Sequence, residues 1–195
     1  MVKVIKKTDE VLFDDDELLA LAKHDLDKGE VESALFKLKQ VLVSDEPLDE
    51  ARTMAARIYA QLGLFERAQG LYEEYIAKNP GAVLESFQLG MTFFDMGRVE
   101  EALSHWDKVL DKEPVHPPSL FYKGLVLAQL GKVADAKQSL DTLLKSAPAD
   151  NLYFGRAREL LQAIDSGQVV NIARNDQSAE STSAALPQDA YKVEH

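Results

Sequence analysis

The chain is predicted to be all-α, an α-α superhelix of four helix pairs closed by a C-terminal capping helix. Three observations predict it. Gly29, Gly63, Gly97 and Gly131 follow one another at intervals of 34 residues. Ala34, Ala68, Ala102 and Ala136 keep that interval five residues after each glycine, and Pro80, Pro114 and Pro148 keep it at the ends of the last three units. Large apolar residues (Leu38, Tyr72, Trp106, Leu140) stand nine after each glycine, and small ones (Ala22, Ala56, Gly90, Gly124) stand seven before it.

Each mark has a physical reason. The glycine ends the first helix of a unit, where a left-handed residue costs least without a Cβ. The small residues let two helix backbones approach closely, and the large residue fills the space between neighbouring helices. The proline cannot extend a helix and biases the residue before it towards extended geometry, so it stops the second helix. Glu32, Glu66 and Glu100 lie in the first turns of second helices, where the helix dipole favours an acid.

In chain order, residues 1–14 have no clear period and read as a loose extension. The run Asp14–Glu17 (DDDE) reads as a helix N-cap followed by an acidic first turn rather than a cation site. Helices are expected over residues 15–28 and 31–44, 49–62 and 65–78, 83–96 and 99–112, 117–130 and 133–146, giving units of about 15–48, 49–82, 83–116 and 117–150. Pro117 and Pro118 suit the first positions of the seventh helix, where no backbone donor is needed. Residues 151–165 (NLYFGRARELLQAID) form the capping helix, whose polar face carries Arg156, Arg158, Glu159 and Gln162. Beyond residue 165 the period is lost, and 166–195, rich in Ser, Ala, Gln and Asn, is expected to be a disordered tail. A docking strand through Val169, Val170 and Ile172 is the alternative.

Composition removes several functions. The chain has 195 residues and 46% hydrophobic content, enough for one domain or a short solenoid with a core. It has no cysteine, so disulfides, thiolate catalysis and Cys-based zinc sites are excluded. The formal charge is −11, and Lys and Arg form no stripe to hold a phosphate backbone, so no nucleic-acid partner is expected. The N-terminal apolar residues are broken by Lys3, Lys6, Lys7, Asp9 and Glu10, so no secretory signal is expected. No apolar run is long enough for membrane insertion. A cytoplasmic location fits these features. His24, His105, His116 and His195 have no metal-ligand spacing, so neither metal nor cofactor is expected. Glu100-Glu101 reads as a solvated helix start rather than an acid/base pair. No constellation supports an enzyme.

The repeat resembles the tetratricopeptide repeat family, whose period and residue pattern it shares over about residues 15–165. The third unit matches best, through Leu89-Gly90, Phe93, Gly97, Ala102, Trp106 and Pro114. The second matches through Tyr59, Gly63, Ala68, Tyr72 and Pro80, and the fourth through Gly124, Gly131, Ala136, Leu140 and Pro148. The first departs, with Asp25 where an aromatic is usual and a shifted proline at Pro47. The resemblance implies a right-handed solenoid of four such helix pairs. It also implies a concave groove lined by the first helices of the units, at thirteen, ten, six, three and two residues before each glycine.

Carried onto this sequence, those positions give Asp16, Leu19, Lys23, Leu26 and Asp27; Glu50, Thr53, Arg57, Ala60 and Gln61; Leu84, Phe87, Met91, Phe94 and Asp95; and Pro118, Phe121, Leu125, Ala128 and Gln129. The first two units are polar there and the last two apolar. The candidate peptide-binding groove is therefore Leu19, Lys23, Arg57, Leu84, Phe87, Met91, Phe94, Asp95, Phe121 and Leu125. The apolar side chains would hold an amphipathic helix or an extended apolar segment of a protein or peptide, and Lys23, Arg57 and Asp95 would set its direction. The competing reading of these apolar residues is burial against a neighbouring helix or self-association. Family members that clamp a chaperone's C-terminal carboxylate use groove lysines, arginines and asparagines. Here Leu19, Met54, Leu84 and Gln88 occupy such places, so no clamp is expected. The resemblance implies a non-catalytic scaffold or adaptor. A homo-oligomerising structural scaffold, or a small cytoplasmic chaperone for a secreted or assembled partner, is the alternative.

Overall fold

The computed structural model describes residues 13–167. The expectations of a loose N-terminal extension and of a disordered tail fall largely outside that range. Nine helices make up the described residues, with no strand among them: α1 Asp15–Asp27, α2 Val31–Val41, α3 Asp49–Gln61, α4 Phe65–Lys78, α5 Val83–Asp95, α6 Val99–Lys112, α7 Pro117–Gln129, α8 Val133–Ser146 and α9 Leu152–Asp165. They pack as consecutive pairs, α1 with α2, α3 with α4, α5 with α6 and α7 with α8. Each second helix also meets the first helix of the next pair, and α9 closes the array against both α7 and α8.

The capping chemistry is what the sequence requires. Asp14 caps α1, its side chain accepting from the Glu17 N–H at 2.8 Å while the Glu17 carboxylate accepts from the Asp14 N–H at 3.0 Å. At the other end of a first helix, Gly97 has φ +72°, donates to the Phe94 carbonyl at 2.9 Å, and lets Arg98 donate back to Phe93 at 2.9 Å. The glycine that follows α1, α3, α7 or α9 does the same work with φ between +71° and +77°. α2 stops at Val41, three residues short of the expected end. Its end is closed by the Ser44 hydroxyl, which donates to the Val41 carbonyl at 2.9 Å.

One continuous core runs along the array. Its largest buried members include Trp106, Tyr72, Leu38 and Leu140, the residues nine after each glycine. In the third and fourth units this residue seats over the small residue of the same unit. A Cβ built on Gly90 would lie 2.5 Å from Trp106 Nε1, and one on Gly124 would lie 2.8 Å from Leu140 Cγ. In those units the large and small marks of the repeat are therefore a single packing contact.

His116 starts α7 as its N-cap, accepting the Ser119 N–H on Nδ1 at 3.3 Å, with its ring edge-on to Phe87 at 5.4 Å between centroids. Burial holds its pKa below the ordinary 6.5, against a smaller opposite pull from Glu113. Burial likewise holds His105 below 6.5. The sign follows from linkage: above about pH 6.5 both states are neutral, and below it the unfolded chain takes up protons first. Stability is therefore expected to fall as pH drops through that value. Protonating Nδ1 also removes the cap's acceptor. In melts run at about pH 7.5 and about pH 5.5, His116→Asn, which keeps a cap but does not titrate, should lose a few degrees less than the parent chain.

Candidate groove on the first helices

The first helices α1, α3, α5 and α7 carry every candidate groove residue. In the N-terminal half the surface is polar and internally paired. The Lys23 ammonium of α1 reaches Glu50 of α3 at 2.8 Å, joining two neighbouring first helices across the groove. Arg57, about two helical turns further along α3, is half-buried and makes no ion pair among the described residues. Asp95 is half-buried at the end of α5.

In the C-terminal half the apolar candidates divide into two groups. Leu84 is 38% exposed, and Phe94, Phe121 and Leu125 are half-buried at the surface. Phe94 leans on Trp106 at 6.0 Å, and Phe121 on Tyr122 at 5.3 Å and on Tyr153 of α9 at 5.6 Å. Of these four, Leu84 is exposed, and Phe94, Phe121 and Leu125 pack partly against the core. Leu19, Phe87 and Met91 do not stand open to solvent as expected. They are 7%, 3% and 0% exposed and belong to the core. The reason is geometric. α5, which carries Phe87 and Met91, packs against both α4 and α6, so only part of its surface remains clear, and Leu19 lies in the core beside α2. Phe87 turns into the neighbouring pair, 6.0 Å from Tyr122 and 5.4 Å from His116.

Several polar features had no signal in the repeat. Asp25, at the place of the missing aromatic, is buried and ion-paired to Lys37 of α2, whose ammonium also donates to Ser33 at 3.2 Å. The Lys37 hydrogen bond holds the Asp25 carboxyl below its ordinary pKa. Arg52 is 4% exposed and paired with Asp49 on its own helix and with Glu74 of α4 at 3.2 Å. Phe93 is stacked on His105 at 5.1 Å, with the Arg98 guanidinium carbon 4.5 Å from the ring centre. Only a comparison of the same register across units would have marked these positions, because each replaces a repeat contact by a different one. Among the described residues no three His, Asp or Glu side chains gather as a metal site, and no helix is long and apolar enough to cross a membrane.

The sequence pattern of the tetratricopeptide repeat matches residues 19–83 and again residues 87–151, together more than half of the chain. The chain belongs to the tetratricopeptide repeat family. No curated protein matches it. Among solved structures, a tetratricopeptide repeat protein from Parabacteroides merdae is similar with a TM-score of 0.68 and 20% identity, over 85% of this chain and 68% of that one. MamA from AMB-1 is similar with a TM-score of 0.64 and 20% identity, over 89% of this chain and 97% of that one. MamA 41-end from Desulfovibrio magneticus RS-1 gives a TM-score of 0.65 at 16% identity, over 86% and 97%. At these identities the likeness establishes the fold. Tetratricopeptide repeat proteins are protein-interaction scaffolds, and the all-α array of helix pairs is the form such scaffolds take.

Proposed function

We propose that the protein is a non-catalytic, cytoplasmic adaptor that holds a segment of a protein partner along the inner face of α1, α3, α5 and α7. The observation that carries this reading is the partly exposed apolar stripe of Leu84, Phe94, Phe121 and Leu125. Apolar side chains that keep part of their surface exposed at matching positions of successive first helices support an interaction surface. An amphipathic helix or an extended apolar segment fits the stripe, and Arg57, free of ion pairs among the described residues, offers an anchor for an acidic residue of the guest. With Lys23 already tied to Glu50, the groove offers no set of cations for a carboxylate clamp.

The test is cross-linking in native lysate followed by pull-down with the parent chain and with Leu84→Glu and Phe94→Glu. Both substitutions sit at the surface, so circular dichroism should be unchanged while partner recovery falls about tenfold or more. Undiminished recovery from the folded variants would remove the groove from the mechanism. A second reading, self-association, draws on Phe36 and Val43 of the first pair, which are 68% and 83% exposed. Light scattering decides it: a monomer at high concentration leaves the adaptor reading alone.

A further inference from the structure

The two faces of α7 differ. Leu120, Lys123 and Leu127 lie by helical register on the side opposite Phe121 and Leu125. There, between α7 and α8, is a cleft of about 370 Å³, floored by Pro114, Leu120 and Leu127 and rimmed by Asp135 and Ser139. Lys123 stands at its edge, its ammonium paired with Asp107 of α6.

The internal repeat says what is missing from this cleft. In the third unit the counterparts of Leu127 and Ser139 are Phe93 and His105, whose stacked rings close the same space between α5 and α6 under the Arg98 guanidinium. In the second unit Tyr59 lies under Arg67, 5.5 Å from the ring centre, and Arg52 reaches across to Glu74. In the first the Asp25–Lys37 pair spans it. The fourth unit has Leu127 and Ser139 at these places, neither of them aromatic or charged, and Ser139 spends its hydroxyl on the Asp135 carbonyl at 3.1 Å. The cleft is open at the place where the third unit seats its stacked pair of rings.

We propose that Tyr191 of this chain's own C-terminal segment seats its ring in the α7–α8 cleft. Outside residues 13–167 the sequence contains one Phe, Tyr or Trp, and it is Tyr191. The segment starts at the end of α9, where Asp165 is ion-paired with Lys137 on the face of α8 turned away from Asp135. The 24 residues from Gly167 to Tyr191 span at most about 80 Å, ample to round the start of α8. Lys192 beside Tyr191 matches the Asp135 carboxylate, which makes no ion pair among the described residues. This docking does not depend on the groove reading, since it uses the other side of α7.

Limited trypsin digestion of the full chain tests it. Cleavage after Lys192 should be about tenfold slower in the parent than in Tyr191→Ala, and than in Ser139→Phe, which rebuilds the ring of the third unit inside the cleft. Equal rates in the parent and Tyr191→Ala overturn the proposal. Tyr191→Ala lies outside the helical array, so it decides the matter even if Ser139→Phe fails to fold. A photo-reactive benzoylphenylalanine at position 191 adds the address. Cross-links to α7 and α8 peptides support the docking, and cross-links to Phe94 or Leu84, or none, refute it.

Discussion

Replacing Trp106 by alanine is expected to lower stability by about 3–5 kcal/mol, a shift of about 10 °C in the melting temperature of a chain this size. Trp106 is 0% exposed, lies over Gly90 and touches the rings of Phe94 and Tyr122 at 6.0 and 5.9 Å. Its indole N–H has no hydrogen-bond partner in the core, so the loss is one of packing, with no acceptor left behind. The repeat supplies the control. In the first unit the same two positions hold Ala22 and Leu38, both 0% exposed. Gly90→Ala alone should be strongly destabilising, because its Cβ would meet the indole at 2.5 Å. Gly90→Ala combined with Trp106→Leu should cost clearly less than the sum of the two single changes. Denaturant melts of the four chains form a double-mutant cycle, and additivity would show that the two positions do not share one contact.

Phe87→Glu is expected to unfold the protein, whereas Phe94→Glu is expected to leave it folded. Phe87 is 3% exposed between Tyr122 and His116, so a carboxylate there has no cation to pair with and no water to reach. That costs about 4 kcal/mol or more, a large fraction of the ~5–15 kcal/mol that holds a domain together. Phe94 is at the surface, where a carboxylate stays hydrated and only the contact with Trp106 is weakened. Circular dichroism and thermal melts separate the two. Similar melting temperatures would mean that the two phenylalanines share one environment.

That pair also marks where sequence reasoning reached its limit. The helix order, the glycine caps and the seating of Trp106 over Gly90 follow from a 34-residue interval repeated four times, and each unit repeats the evidence of the others. The inner face was legible as a register: positions 84, 87, 91, 94, 121 and 125 do fall on first helices. What the register does not carry is how closely the flanking helices approach, and that alone buries Phe87 and Met91 while leaving Leu84 and Phe94 open. Departures from the repeat were legible only as departures. Asp25 was visibly not aromatic, but its partner Lys37 lies on another helix, at a position where the remaining units carry Leu71, His105 and Ser139.

The Asp25–Lys37 pair makes the two ends of the array unlike. Elsewhere the helices of a unit are held across this position by rings and aliphatic side chains, and α9 shields the far end. The N-terminal unit instead relies on an attraction between charges, which acid removes by protonating the carboxylate and for which salt competes. Because an array of this kind is held by neighbour-to-neighbour interfaces, melting has a built-in starting point. In strong acid, unfolding is therefore expected to begin at α1 and α2, and faster amide hydrogen exchange in those two helices than in the rest would show it.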